Sequence, residues 1–407
     1  MNTSPSLNTA RTGPKITSSW LTLLLASACG LIAANIYYAQ PLAGPISDAL
    51  GMSPSTTGLI VTLTQIGYGL GLLLIVPLGD LIENRKLTLL LLAVAALSLA
   101  GAGLSAHPLP FLLSALGIGV GTVAVQVLVP YAAHMAPEAS RGRVVGNVMS
   151  GLMLGIMLAR PVSSFLTQLY SWHMVFFASA SVMVVLAAVL SLKLPPRIPS
   201  GKLNYSELLI SMVHLARRTP ELRRRALYHA ALFAAFSLFW TTTPLLLAGP
   251  LFNLSQGGIA LFALAGVAGA VAAPIAGRVA DRGLSQPATA LAMLAVAAAF
   301  IFTHIATPGS SWSLGLLVLA AIVLDFGVSA NMTLGQRKIF ELGAEVRARL
   351  NGLYMTTFFI GGAVGSALGG WAYANGGWML ASWIGFALPV LALAYFLTER
   401  ITVKSTT

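Results

Sequence analysis

The fold class this sequence predicts is an all-α membrane protein: twelve transmembrane helices in two six-helix bundles related by internal pseudo-symmetry. Three observations predict it. The 407 residues are 57% hydrophobic and only 8% charged, whereas a soluble domain is about a quarter charged. The apolar residues fall into runs of about 20, enough to span a bilayer core of roughly 30 Å. And a charged hairpin recurs once in each half, Val76–Lys86 (V-P-L-G-D-L-I-E-N-R-K) and Gly277–Gly283 (G-R-V-A-D-R-G), setting Asp80 and Asp281 about half the chain apart.

Residues 1–17 are rich in Ser, Thr, Pro and Asn and read as a disordered tail. No small-residue cleavage site precedes the first apolar run, so that run is expected to stay in the membrane. The first bundle, 18–192, holds spans at 18–40, 56–79, 87–106, 109–133, 144–168 and 173–192. The second, 226–398, holds spans at 226–248, 257–277, 287–306, 312–334, 349–374 and 378–397. Between them lies a polar insert, 193–225, and after them a tail, 399–407. The insert begins L-K-L-P-P-R-I-P, semi-rigid and extended. It reads as a linker, with a basic amphipathic helix on the inner surface as the other reading.

With the N-terminus cytoplasmic, all but one of the 23 Lys and Arg fall in cytoplasmic segments. That is the positive-inside pattern. The net charge of +12 is therefore a topology signal rather than a nucleic-acid footprint, and both termini are expected inside. The exception is Arg160, in helix five. Nine of the eleven acids lie in the same segments, leaving Asp48 in an outer loop and Asp325 inside helix ten. The halves echo further. Arg141 and Arg347, and Trp172 and Trp378, recur at one shared offset, as parallel repeats would.

Asp325 sits a dozen residues from the outer end of its span, near mid-membrane at about 1.5 Å per residue. A charge at that depth costs roughly 2.5–3.5 kcal/mol on insertion scales. A switchable carboxyl there suits a proton carrier, and the bland reading is a permanently paired structural carboxyl. Arg160 lies roughly 10 Å deep on the same rise and precedes Pro161, a natural kink site. It could snorkel to headgroups, pair with Asp325 or hold an anionic group of a substrate. Gly67, Gly69 and Gly71, and Gly361, Gly365 and Gly369, permit close helix approach and read as sliding surfaces where the bundles meet. The six His all fall at loops or helix ends by these spans. Cys29 stands alone, and there is no phosphate loop, zinc motif or nucleophile elbow. An ATP-driven pump, a metal centre and an enzyme are not indicated, and no cofactor is expected.

The hairpins resemble those of the major facilitator superfamily. Leu78, Asp80, Arg85 and Lys86 fit its G-x-L-x-D-x-x-G-R-R, with Val76, Glu83 and Asn84 as departures. Gly277, Val279, Ala280, Asp281, Arg282 and Gly283 form the second copy. The resemblance implies gating by Asp80, Arg85, Lys86, Asp281 and Arg282 on the cytoplasmic side, the other reading being a pure topology determinant. Helix five is similar to the G-x8-G-x3-G-P-x2-G-G motif of drug and metabolite antiporters, through Gly146, Gly155, Ala159, Pro161, Ser163 and Ser164, with Arg160 in the proline's place. Asn35–Pro41, N-I-Y-Y-A-Q-P, resembles bacterial members at the end of helix one. The helix-four arginine of many antiporters is missing from Ser114–Gly121.

In that family helices one, four, seven and ten line the cavity. This points to Asn35 and Tyr38, Gln126, and the stripe Phe233, Phe236 and Trp240, although a stripe at that spacing is more often core or lipid-facing than ligand-facing. The resemblance implies a monomeric, proton-coupled exporter of a small amphiphilic compound in the bacterial inner membrane. Its partners would be substrate, protons and lipid, with Asp325 and Arg160 as the coupling residues. An importer or facilitator, and a membrane sensor or scaffold without transport, are the alternatives.

Overall fold

The computed structural model describes residues 19–199, 204–343 and 345–404. The tail expected over 1–17, Lys202 of the insert and residues 405–407 lie outside the described residues. Helices follow one another as α1 (Ser19–Ala34), α2 (Ala43–Ala49), α3 (Leu59–Leu74), α4 (Asn84–Leu104), α5 (Pro108–Thr122), α6 (Ala124–Met135), α7 (Arg141–Leu169) and α8 (Trp172–Lys193). Then come α9 (Tyr205–Arg218), α10 (Pro220–Ala248), α11 (Gln256–Ala263), α12 (Gly269–Asp281), α13 (Ser285–Phe302), α14 (Ser311–Phe340) and α15 (Arg347–Lys404).

Among the described residues there is no strand, and ten helices are long and apolar enough to cross a membrane. The shorter α1 is apolar as well. α15 divides at Gly376 and Gly377. Gly377, at φ 60 and ψ −157, occupies a region that is essentially glycine's alone. Twelve crossings result, six before α9 and six after it.

The crossings depart from regular helix where the site will need it. α1 ends at Ala34, not at 40. Residues 35–42 continue as tight turns with i→i−3 bonds, among them Asn35 N→Ile32 O at 3.2 Å, Tyr37 N→Ala34 O at 3.0 Å and Gln40 N→Tyr37 O at 3.3 Å. Pro41 has no N–H to extend an α-helix. The eighth crossing carries a 3-10 segment at Leu264–Ala268 between α11 and α12. In such turns residues i and i+3 eclipse, which re-aims side chains relative to a regular helix.

The insert holds more than a linker. α9 is amphipathic and starts with a capping box, in which Asn204 and Glu207 exchange side-chain and backbone hydrogen bonds. Reciprocal capping satisfies two backbone donors at the helix start. α9 lies across the two halves. Tyr205 Oη donates to Leu74 O at 2.8 Å in the first half, and Arg349 Nη1 donates to Ser211 Oγ at 2.8 Å from the second.

Most of the glycine rows pack within a bundle rather than where the bundles meet. Gly67 and Gly71 pack on Leu116 and Val123 of their own half, and Gly361, Gly365 and Gly369 on Ala230, Ala234 and Leu238 of theirs. They close helices within a bundle. Between the bundles the close approach is Gly58 of the first half on Ser366 and Gly370 of the second, with Gly69 facing Phe359.

Candidate functional site: a buried charge pair between the halves

α7 brings Arg160 and α14 brings Asp325 to the middle of the molecule, where both are buried. Arg160 Nη1 stands 3.9 Å from Asp325 Oδ2, close enough for charge pairing but beyond a hydrogen bond. The carboxylate's other oxygen accepts a 2.8 Å hydrogen bond from Trp240 Nε1 of α10. Arg160 Nε donates to Gln40 Oε1 at 2.8 Å. Three rings surround the guanidinium, Trp240 at 4.3 Å, Phe236 at 5.0 Å and Tyr37 at 5.3 Å. Aromatic faces attract a cation within about 6 Å, the more so when it is desolvated. Arg160 does not reach for headgroups, and Pro161 does not interrupt α7.

The irregular turns build this arrangement. Tyr37 and Gln40 are three apart in the 35–42 turns, so both meet Arg160. Gly266 and Gly269 are three apart in and after the 3-10 segment. A Cβ at Gly266 would lie 2.9 Å from Asp325 Oδ2 and 3.1 Å from Arg160 Nη1; at Gly269 it would lie 3.2 Å from Asp325 Cβ. The eighth crossing thus presses bare backbone against the pair.

Of the expected cavity residues, Phe236 and Trp240 reach the site. Phe233 stacks on Phe358 at 3.7 Å, as helix packing. Asn35 turns away from the pair into the first bundle. Its side-chain N–H groups donate to Leu31 O and Ile32 O, and its Oδ1 accepts from Ser179 Oγ. Tyr38 lines a groove of about 1100 Å³ between α1 and α7 that neither Arg160 nor Asp325 lines. Gln126 Nε2 donates to Tyr68 Oη at 3.0 Å, and Tyr68 packs on Phe359 across the halves at 4.3 Å.

Within the helix-five motif, Gly155 lies against the backbone of Gly30, while Gly146 has open space beside it. Ala159, Pro161, Ser163 and Ser164 are buried, and Ser163 Oγ donates to Arg160 O at 3.0 Å. Gln40, Tyr37 and Gly266 were not singled out in the sequence. The first two stand in N-I-Y-Y-A-Q-P, a signal that was present. His229 also departs from expectation. It lies inside α10, fully buried, with its Nδ1 3.1 Å from Asn331 Nδ2.

At the hairpins, Arg85 and Lys86 each stand 3.5 Å from Glu83 of their own half. Arg85 also donates to Ser191 O and Leu194 O. Burial pushes the Asp80 carboxyl above its ordinary range, with Arg197 of the insert and Arg349 of the second half as weaker opposing charges. Asp281 pairs with Arg337 at 2.6 Å, not with Arg278 or Arg282. Further contacts join the halves on the face away from α9. Thr62 Oγ1 lies 2.8 Å from Ser366 Oγ, Gln65 Nε2 donates to Ser237 Oγ at 2.9 Å, and Gly257 N donates to Gln168 Oε1 at 3.0 Å.

Twelve apolar crossings in two bundles, with a charge pair buried where the bundles meet, define a polytopic membrane transporter. Comparison with known proteins agrees. The model of the Major Facilitator Superfamily matches residues 23–344, and the chain belongs to that superfamily. It is 39% identical over 358 residues, 88% of this chain and 90% of the relative, to the uncharacterized transporter YgaY of Escherichia coli O157:H7. It is 37% identical over 372 residues, 90% of this chain and 84% of the relative, to the probable transporter SCO4007 of Streptomyces coelicolor. Among solved structures it superposes on the nucleoside transporter NupG with a TM-score of 0.70 at 15% identity, covering 94% of this chain and 99% of that one. On a bacterial homolog to the human lysosomal transporter Spinster, inward-facing and unoccupied, the TM-score is 0.74 at 18% identity, covering 95% and 98%. At such identities the likeness concerns the fold.

Proposed function

We propose that this secondary transporter is proton-coupled and exports a small amphiphilic compound by alternating access, with Asp325 as the proton site and Arg160 as its counter-charge. One observation carries the reading. The buried charges come from different halves and meet at the surface along which those halves must part. Two charges taken out of water stabilise each other only while paired. A proton on Asp325 cancels its side of the pair and lets Arg160 and the bundles separate; its loss draws them together.

The remaining assignments follow from this frame. The bundles 18–192 and 226–398 rock about the pair, and the insert and both termini face the cytoplasm of the bacterial inner membrane. The contacts Thr62–Ser366, Gln65–Ser237 and Gln168–Gly257 then close the outer side. Asp80, near Arg197 of the insert and Arg349 of the second half, and Asp281 with Arg337 act at the inner gate, as do Arg85, Lys86 and Arg282 through the hairpins. The transporter works as a monomer. The helix-five residues Gly146, Gly155, Ala159, Pro161, Ser163 and Ser164 support export, as do the aromatic walls of the site, which suit an apolar body.

A substrate comes from screening growth inhibition in a strain lacking its own exporters. Everted vesicles bearing the protein should accumulate that substrate when the interior is made acidic. Accumulation by right-side-out vesicles when their exterior is made acidic would overturn export and make the protein an importer.

A further inference from the structure

The charge pair leaves donors over. Among the described residues Arg160 Nη2 and Gln40 Nε2 have no hydrogen-bond partner, and both belong to side chains almost wholly buried. They are neighbours, because Gln40 Oε1 already accepts from Arg160 Nε, which puts the Gln40 amide along the Nε–Nη2 edge of the guanidinium. Both atoms are obligate donors, so whatever satisfies them is an acceptor. Buried donors without acceptors are costly, so two of them side by side in a transport site call for an acceptor.

The charge of that ligand follows from the pair. Arg160 and Asp325 already cancel, so a carboxylate on Nη2 would leave one uncompensated negative charge in an apolar site, whereas a neutral oxygen leaves none. Asp325 also steadies the donor edge. It stands 3.9 Å from Nη1 on one side while Gln40 accepts from Nε on the other, with the Trp240 ring centroid 4.3 Å from the guanidinium carbon.

We infer that Arg160 Nη2 and Gln40 Nε2 form an acceptor-binding subsite that takes an uncharged oxygen of a carbonyl type, carried on a body flat enough to lie among Tyr37, Phe236 and Trp240. The inference rests on the proposed transport site and adds its substrate class. It makes Gln40 a specificity-determining residue. It also gives the coupling its sign. An ionised Asp325 presents the donor edge and favours loading; a proton on Asp325 releases Arg160 and dissolves the subsite. An anionic substrate would behave oppositely, loading together with the proton.

The test uses three probes with one aromatic ring in common: N,N-dimethylbenzamide, benzoate and protonated N,N-dimethylbenzylamine. Each is added at about 20 mM, a level suited to fragments of this size. The readout is the melting temperature of purified wild type at about pH 8, where carboxyls are generally ionised. The neutral amide should raise it by about 2 degrees, as a ligand several-fold above its Kd does. The two ions should give less than half of that. In Gln40→Glu, which keeps the acceptor for Arg160 Nε but removes the Nε2 donor, the amide's shift should fall by half or more. Gln40→Met, without either group, should lose it too and guards against a charge effect in the first variant.

A larger shift with benzoate, no shift with the amide, or an undiminished shift in both variants overturns the inference. Loss of the subsite in these measurements would leave proton coupling at Asp325 standing. Conversely, a wild-type amide shift with no Asp325-dependent proton movement would remove the coupling and spare the subsite.

Discussion

Trp240 donates to Asp325 at 2.8 Å, and its ring lies 4.3 Å from the carbon of the guanidinium that balances the same carboxylate. One indole on α10 thus senses both members of a pair contributed by α7 and α14. A change in the charge of Asp325 alters what Trp240 binds and what it lies against. The ring contributes packing as well as a donor, as buried tryptophans do.

Removing one partner of the pair strands the other. Arg160→Gln should lower stability by about 3–5 kcal/mol, the usual cost of leaving a buried charge alone, while Arg160→Gln with Asp325→Asn should recover most of it. Denaturant unfolding in detergent checks both. Arg160→Lys keeps the charge but not the planar fork shared between Gln40 and Asp325, so transport should fall at least about tenfold. Full activity in that variant would reduce Arg160 to an anchoring charge.

Gly266 and Gly146 should respond oppositely to a side chain. A Cβ at Gly266 would crowd Asp325 Oδ2 and Arg160 Nη1, so Gly266→Val should abolish transport while the protein still reaches the membrane. Gly146 has open space, and Gly146→Ala should be neutral or should stabilise α7 by up to about 1 kcal/mol through helix propensity. Expression, melting temperature and transport measured side by side distinguish the two.

The closed face opposite α9 can be pinned. Thr62 Oγ1 and Ser366 Oγ are 2.8 Å apart across the halves, and the natural sequence has a single, buried cysteine, Cys29. Thr62→Cys with Ser366→Cys should form a disulfide on mild oxidation, arrest transport and regain it on reduction. Undiminished transport by the oxidised protein would show that this face need not open.

The exposed bridge between Asp281 and Arg337 should matter little to stability. Both side chains are largely exposed, and such pairs contribute about 0–1 kcal/mol. Asp281→Asn should therefore leave the melting temperature nearly unchanged, so any loss of transport in it reports on gating rather than folding.

The crossings were legible because bilayer length and charge sorting leave few alternatives, and the isolated charges marked Arg160 and Asp325 without any structure. Their pairing was one of three readings for Arg160. What escaped was set by broken helices. A helical face through Asn35 and Tyr38 does not exist, because both stand beyond the end of α1 in the 35–42 turns. Tyr37 and Gln40 gained their positions only because α1 stops at Ala34. Gly266 lies in an apolar run with no periodic signal, and its value is the absence of a side chain beside two charges. The glycine rows were misplaced because spacing shows that helices approach closely, not which helices do so. The insert reads as a linker from its proline-rich start, whereas Asn204 and Glu207 cap an amphipathic helix, α9, inside it.

The most direct test of proton coupling at Asp325 uses purified protein in weakly buffered detergent solution, with the substrate from the growth screen added and proton release followed by a pH dye. Wild type should release protons as substrate binds, and Asp325→Asn should bind substrate more weakly and release none even when substrate is raised to saturate it. Wild-type proton release from Asp325→Asn would contradict the account, because the proton would then be carried elsewhere.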